Sequence, residues 1–395
     1  MSIRIELSRS VLLPDELKVA RYARAPELGP QILFFTGGSA LKETSRTLKR
    51  YTHNSIHVMT PFDSGGSSAE LRRTMQMLSV GDLRNRIMAL ADESSLGNPH
   101  IRRLFSTRLS AEASQQSLVE RLEAMVRGDE PLVRDVPTPM RRLIRTFLRV
   151  FLDRMPDDFD LRKASVGNLI LGGGYHQYDG DMDSVVFLFS QLVEARGTVL
   201  PVVDADLHLM ATLEDGCRVA GQHNFTGKET APLTSPIQSL SLIDELDTQN
   251  PAEIESHPKV RKLIETADLI VFPMGSFYSS ILCQLLPGGI GQSIVEARCP
   301  KVFVPNMGCD PEVIDHPTSR LVEQLLRTVK NDAPHAVTDD ILNLVLVDLK
   351  EGRYQNPIGL DRIRELGVDV ADVSLTNGEG WICPQKLSAL LLSMV

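Results

Sequence analysis

Short apolar runs that break abruptly into glycine and serine are the strongest signal along this chain. Residues 31–35 (QILFF) run into Thr36-Gly37-Gly38-Ser39-Ala40, and residues 55–60 (SIHVMT) run into Pro61-Phe62-Asp63-Ser64-Gly65-Gly66-Ser67-Ser68. Residues 268–272 (DLIVF) lead into Pro273-Met274-Gly275-Ser276-Phe277-Tyr278, and 301–305 and 342–348 are further runs of the same kind. Their apolar positions are continuous rather than alternating, so both faces of each strand must be covered, as in a parallel sheet. The repeated order of strand, turn and helical pattern predicts a doubly wound α/β fold with a mostly parallel sheet.

Other patterns add detail. Met140, Leu143, Ile144, Phe147, Leu148 and Phe151 recur at helical spacing, with Arg141, Arg142, Arg145 and Arg149 elsewhere on the wheel. A basic amphipathic helix of this kind either lies on a membrane surface or packs its stripe on the domain or a partner subunit; packing is the expectation. Residues 207–213 and 217–220 flank Glu214-Asp215-Gly216, an Asp-Gly hairpin signal. Ser67 and Glu70 have capping-box spacing and predict a helix start ahead of Leu71. The expected organisation is a core at 31–109 and 157–350 with a helical insertion at 110–156. An N-terminal extension, 1–30, and a C-terminal segment, 351–395, pack against that core.

Composition narrows the function classes. The 395 residues are 42% hydrophobic and 24% charged, the balance of a folded globular chain. No run reaches the ~18–20 apolar residues of a membrane span, and the first residues lack the apolar core of a signal peptide. The five cysteines include no CxxC pair, so the expectation is reduced thiols in the cytoplasm, with neither a zinc site nor a disulfide framework. A net charge of −9 argues against a nucleic-acid partner. If such a chain binds an anion, it must use backbone N–H groups at helix starts and a few placed arginines.

Four segments have that character. Gly37, Gly38 and Ser39 follow a buried strand, and adjacent glycines either admit a phosphate to the backbone or simply turn the chain. The pattern is neither GxGxxG nor a Walker A loop, so no NAD or flavin motif is present. Asp63 comes next, at a strand end, followed by Gly65, Gly66, Ser67 and Ser68. Two kinds of role are open to Asp63: holding a metal or taking a proton from an acceptor hydroxyl, or capping its own turn. Arg72, Arg84 and Asn85 lie just downstream; the arginine forks suit phosphate or carboxylate, with surface ion pairs as the alternative. In the third segment Asn168 offers a donor and an acceptor for a base edge or sugar hydroxyl, and Gly172-Gly173-Gly174 behind it reads as a loop. In the fourth, Gly275 and Ser276 open a helix suited to phosphate, and Tyr278 either meets a ligand or is buried with its hydroxyl satisfied. No HExxH or GxSxG motif appears, which argues against zinc proteases and α/β-hydrolases.

These blocks, in this order, resemble the CofD-like family, nearer its YvcK branch: FFTGGSALKETSRTLKRYT, VMTPFDSGGSSAELRR, GDLRNRIMALAD, SVGNLIL, ADLIVFPMGSFYSSILCQLL and KVFVPNMGCDPEV. The resemblance covers roughly residues 32–92 and 164–312. It implies a Rossmann-like three-layer core, frequently a homodimer, and a ligand that is a nucleoside diphosphate-linked small molecule. In the transferase branch it implies Mg²⁺ and movement of a phospholactyl-type group to an acceptor hydroxyl, as in 2-phospho-L-lactate transferase. The YvcK branch implies instead a regulatory protein that binds nucleotide sugars. By position, Gly37, Gly38 and Ser39 would meet the phosphates, Asp63 would stand by the reacting phosphate or metal, and Asn168 and the 275–278 turn would hold the nucleotide or sugar. The chain departs from the family in three places. Ser39-Ala40 replaces Gly-Thr, Asp63-Ser64 replaces a pair of acids, and Lys163-Ala164 stands where a histidine precedes the SVGN block.

Overall fold

The structure, a computed structural model, describes residues 10–94, 97–227 and 230–395, apart from the Ser67 side chain. Its strands are β1 (Ile32–Thr36), β2 (Ile56–Met59), β3 (Thr198–Pro201), β4 (His208–Leu213), β5 (Arg218–Ala220), β6 (Ile237–Ile243), β7 (Leu269–Phe272), β8 (Lys301–Phe303), β9 (Leu344–Val347) and β10 (Asp369–Asp372). Seven of them form one parallel sheet in the order β10-β9-β8-β7-β1-β2-β3. From β1 the chain steps outward through β2 to β3; from β7 it steps the other way through β8 and β9 to β10. The strand order therefore reverses between β1 and β7, and such a reversal opens a crevice at the carboxyl ends of the two strands. A smaller antiparallel sheet, β5-β4-β6, contains the expected hairpin.

The apolar runs form strands because both faces of each are covered. Leu33 and Phe35 of β1 enter one hydrophobic cluster, while Ile32 and Phe34 enter another, which includes the C-terminal helix Pro384–Ser393. Phe35 stacks on Phe272 of β7 at 5.4 Å between ring centroids, and Phe34 stacks on His57 of β2 at 5.2 Å. Burial, then the nearby Arg86 charge, holds the His57 imidazole well below its usual pKa, so it packs as a neutral ring.

The helices through the first half are α1 (Glu16–Arg24), α2 (Lys42–Leu48), α3 (Gly66–Met75), α4 (Gly81–Leu90), α5 (Pro99–Ser106), α6 (Gln115–Arg127), α7 (Pro131–Arg134), α8 (Thr138–Arg154), α9 (Val166–Gln177) and α10 (Met182–Leu192). The stripe of α8 is buried through Ile144, Phe147, Leu148 and Phe151, as its spacing predicts. The cluster it joins runs from Met59 to Val199, so the helical layer between β2 and β3 is broader than the expected 110–156 insertion. The Gly172-Gly173-Gly174 run is helix α9 rather than a loop. A Cβ on Gly173 would fall on the Phe147 carbonyl oxygen and lie 2.7 Å from its carbon, so glycine is what lets α8 and α9 approach.

At the termini, α1 is tied to the end of the chain, with the Asp15 N–H donating to Ser393 Oγ at 2.7 Å. The C-terminal segment supplies β10, paired in register with β9, so it is part of the sheet as well as a cover for it. β3, β6 and β10 escaped the sequence reading because they are short or mix polar and apolar residues.

Candidate functional site

The β1 turn is built over a buried cation. Arg86 of α4 is fully buried and donates to the carbonyls of Gly37 (2.9 Å) and Gly38 (3.4 Å), to Thr36 Oγ1 (3.2 Å), and to Ser45 Oγ. Burial lowers its guanidinium to about 10, opposed by the Asp82 charge. A Cβ on Gly37 would strike Ser280 Oγ beyond β7, and one on Gly38 would strike the Asp82 carboxylate. Gly275, at φ +150°, faces Ala40 across the switch point.

The β2 turn carries Asp63, whose Oδ1 accepts the Gly65 N–H at 3.1 Å. Ser64, in the place of the family's second acid, is buried and tied to the small sheet. Its Oγ lies 2.8 Å from His223 Nδ1 and accepts the His223 N–H at 3.1 Å, while its own N–H donates to Gln222 Oε1 at 3.4 Å. Gly221, at φ +84°, makes room for that histidine: a Cβ there would meet the ring Cε1 at 2.7 Å.

Asp63, Gly65, Gly66, Ser68, Arg84, Asn85 and Asn168 line one cleft of about 240 Å³, together with Gly81, Asp82, Arg108, Gln222, His223 and Thr226. Seven residues singled out in the sequence thus share a wall although they span more than a hundred positions. The first turns of α3, α4 and α9 all reach this wall, and none of the three carries a side-chain N-cap hydrogen bond. In α9 the Val166 N–H already donates to the Thr107 carbonyl at 3.0 Å, so what the three starts share at the cleft is the positive end of the helix dipole. Close contact holds them together, since a Cβ on Gly81 would lie 2.5 Å from Ser68 Oγ and 3.9 Å from Asn168 Nδ2. Arg84 adds its charge; it donates to Ser165 Oγ and to Asn85 Oδ1 (2.6 Å), and burial followed by the Arg108 charge lowers it to about 10.

Other expected site residues do different work. Arg72 is buried and wholly committed to the protein. It pairs with Asp206 at 2.6 Å and donates to the backbone oxygens of Asp63 (3.2 Å) and Leu207 (2.7 Å), so it shapes the β2 turn from behind. Tyr278 has no exposed surface, and its hydroxyl sits 3.0 Å from both the Ile237 carbonyl and His316 Nδ1, so no ring is free to stack on a ligand. The donors expected at the 275–278 turn are occupied by the chain's own acids. Phe277 N–H donates to Asp310 Oδ2 at 2.9 Å and Ser279 N–H to Glu312 Oε2 at 2.8 Å. Burial and the neighbouring Asp310 charge raise Glu312 to about 8. Gly275 borders a separate narrow cavity with Asp310 and His316, and Ser276 lines neither space. Gly37 and Gly38 stand behind Asp82, and Ser39 is exposed outside the cleft lining. α3 begins at Gly66 with Gly65 as its cap residue, so the Ser67–Glu70 spacing marks no cap. Glu70 instead pairs with Arg73 at 2.8 Å, and the Ser67 side chain lies outside the described residues.

The sequence reading missed Asp82, Arg86, Arg108, Gln222, His223 and Thr226. Asp82 and Gln222-His223 sit in the GDLRNR and GQHN runs, polar clusters beside structural turns, and that was the available signal. Nothing local distinguishes Arg108. The lining carries two carboxylates, Asp63 and Asp82, and carboxylate oxygen is the donor type a hard cation takes. Among the described residues no group of three or more His, Cys, Asp or Glu side chains could hold an ion alone, so Mg²⁺ would draw its remaining ligands from phosphate and water.

Residues 32–376 match the model of the family described as 2-phospho-L-lactate transferase CofD. The chain is 28% identical over 380 residues to a putative gluconeogenesis factor of Nostoc sp., covering 92% of this chain and 68% of that one. It is 29% identical over 291 residues to the gluconeogenesis factor of Bacillus subtilis, covering 73% and 72% of the two chains. The crystal structure of a UPF0052 family protein from Bacillus halodurans superposes with a TM-score of 0.69 at 21% identity, over 92% of this chain and 99% of that one. No helix among the described residues is long and apolar enough to cross a membrane.

Proposed function

This chain belongs to the CofD family, and from its cleft we propose that it binds a nucleoside diphosphate-linked small molecule and transfers a phosphorus-containing group from it to an acceptor hydroxyl. The observation that carries this reading is the meeting of the positive ends of three helix dipoles with Arg84 and Arg108 in one cleft of an acidic chain. Donors fixed before the ligand arrives stabilise charge on a transferring phosphoryl group without reorganising.

In this reading the helix starts of α3 and α4 and the Arg84 fork bind the phosphates, with the α9 dipole adding to the positive field. Asn168 orients the nucleoside or sugar part. Asp63 and Asp82 would hold Mg²⁺, which would neutralise phosphate charge when bound. The acceptor oxygen forms a bond to phosphorus, the bond from phosphorus to the nucleoside monophosphate oxygen breaks, and the hydroxyl proton passes to Asp63. His223, fixed by Ser64, orients the ligand beside the Asp63 turn. A cytoplasmic homodimer accompanies the proposal, and sedimentation analysis checks its size.

Asp63→Asn tests the assignment. Release of nucleoside monophosphate should fall about 100-fold or more, in the range lost when a positioned acid–base group is removed, while nucleotide affinity measured without Mg²⁺ stays within a few-fold. A second reading, a regulatory nucleotide-sugar sensor, is favoured by Ser64 in the place of an acid and by the names of the relatives. Thermal-shift measurement with GDP, GTP, ADP, UDP and UDP-sugars, with and without Mg²⁺, separates the two. A ligand at a hundred times its Kd adds ~2.7 kcal/mol of stability, and UDP-sugar stabilisation with no monophosphate release from any donor selects the sensor.

A further inference from the structure

Beside the cleft lies a second hollow of about 490 Å³ with a different charge. Lys42, Arg46, Arg84, Arg102 and Arg103 line it against one acid, Glu93. Glu93 is already shared between Lys49 and Arg102, at 3.2 Å each, and Arg46 pairs with Glu43 at 2.8 Å. Lys42 and Arg103 have no carboxylate at ion-pair distance among the described residues, and Arg84 donates only to neutral oxygens. The Nε of Arg46 is buried without a hydrogen-bond partner among the described residues. Lys42 and Arg46 are also four apart on α2, a like-charge spacing that destabilises a helix. In a chain of net charge −9, Lys42 and Arg103 add charge here that no acid among the described residues offsets.

Arg84 and Asn85 line both the hollow and the cleft, so the two spaces meet there. The cleft lining balances Asp63 and Asp82 against Arg84 and Arg108, whereas the hollow is strongly positive. We propose that the hollow is a second ligand site, taking a multiply charged small anion whose other end reaches past Arg84 and Asn85 into the cleft. Its size suits a small molecule, and planar arginine forks recognise phosphate and carboxylate groups alike. As the place of the acceptor, the site rests on the transferase reading; as an anion site, it stands without it. The acceptor is then a hydroxyl compound bearing phosphate or several carboxylates.

The test is calorimetric titration at about 0.15 M salt, where loose surface attraction is screened. The protein is first titrated with UDP and GDP, which reports on the cleft by itself. Inorganic pyrophosphate and tricarballylate are then titrated in the presence of saturating nucleotide. The wild-type protein should bind at least one of them, and Lys42→Ala/Arg103→Ala should weaken that binding about tenfold or more through loss of two charge-assisted contacts. Arg142→Ala/Arg149→Ala, which removes the same charge from the exposed face of α8, should keep it. Binding of pyrophosphate alone assigns a phosphorylated ligand, and binding of tricarballylate alone a carboxylic one. Absence of anion binding while nucleotide binds, or equal loss in both double variants, overturns the second site. If these two and the remaining nucleotides of the thermal-shift panel all fail to bind, the transferase reading fails, and the anion titrations still judge the hollow.

Discussion

Gly38→Ala is the sharpest probe of how the β1 turn and the cleft are joined. Gly38 has no positive φ, so alanine is compatible with its backbone. The added Cβ would fall on one Asp82 oxygen, 2.7 Å from its Cγ and 3.1 Å from the other oxygen. Overpacking of this kind costs ~1–3 kcal/mol, offset by ~0.4–1 kcal/mol because alanine restricts the unfolded chain. A net loss of about 1–2 kcal/mol remains. With an unfolding entropy of ~2.1 cal/mol/K per residue over a chain this long, that loss lowers Tm by roughly 1–3 °C. The short Asp82 side chain relieves the contact by swinging out of the cleft, so Mg²⁺-promoted nucleotide binding should weaken about tenfold, or ~1.4 kcal/mol. Scanning calorimetry reads the first effect, and titration with and without Mg²⁺ reads the second. Gly38→Ala/Asp82→Ala removes the obstruction, so it should recover Tm while the Mg²⁺ effect stays lost. A Gly38→Ala protein with unchanged melting and an unchanged Mg²⁺ response would refute the placing of Asp82 against the turn.

Three further outcomes follow from the geometry. Arg72→Met should cost ~3 kcal/mol or more in urea unfolding, because Asp206 loses its partner in a half-buried place, and nucleotide affinity should fall with it as the β2 turn loosens. Gly173→Ala should lower the urea midpoint by an amount worth about 3 kcal/mol, since the Phe147 backbone it meets cannot swing aside like a side chain. Asp204, at the end of β3, is pushed up to about 6 by burial, with the Asp181 and Asp183 carboxylates adding to the rise. Its folded pKa lies above the ordinary 3.8, so the folded state holds the proton more tightly, and stability falls as pH rises from about 4 through about 6. Asp204→Asn should flatten that part of a Tm-against-pH curve, and an unchanged slope would assign it to other groups.

The strands that set the fold were readable because a parallel sheet demands what a sequence displays well, continuous apolar runs punctuated by glycine. β3 and β10 lacked that density, and β6, half-exposed in the small sheet, reads only weakly. In the candidate cleft, Asp63, Gly65, Gly66, Ser68, Arg84, Asn85 and Asn168 were legible because each stands at or near a strand–helix or loop–helix junction. Arg72 and Tyr278 have the right chemistry at the right junctions, yet their partners decide otherwise. Asp206 is 134 positions from Arg72 and His316 is 38 from Tyr278, and spacing along a chain does not reveal who faces whom. The same blindness hid Asp310 and Glu312, which fill the donors of the β7 turn from the far side of β8.

The glycine seam of α9 reaches beyond packing. Asn168 stands in the first turn of the helix whose later turns, at Gly173 and Gly174, are pressed onto α8. Once a bulkier residue enters that seam, α8 must back away, and once α8 is lost the seam lies bare to water. The glycines of α9 and the α8 helix that covers them are therefore kept or lost together. Relatives that trim the α8 module should carry larger residues in place of Gly173 and Gly174, and their ligand wall should be anchored by some other means.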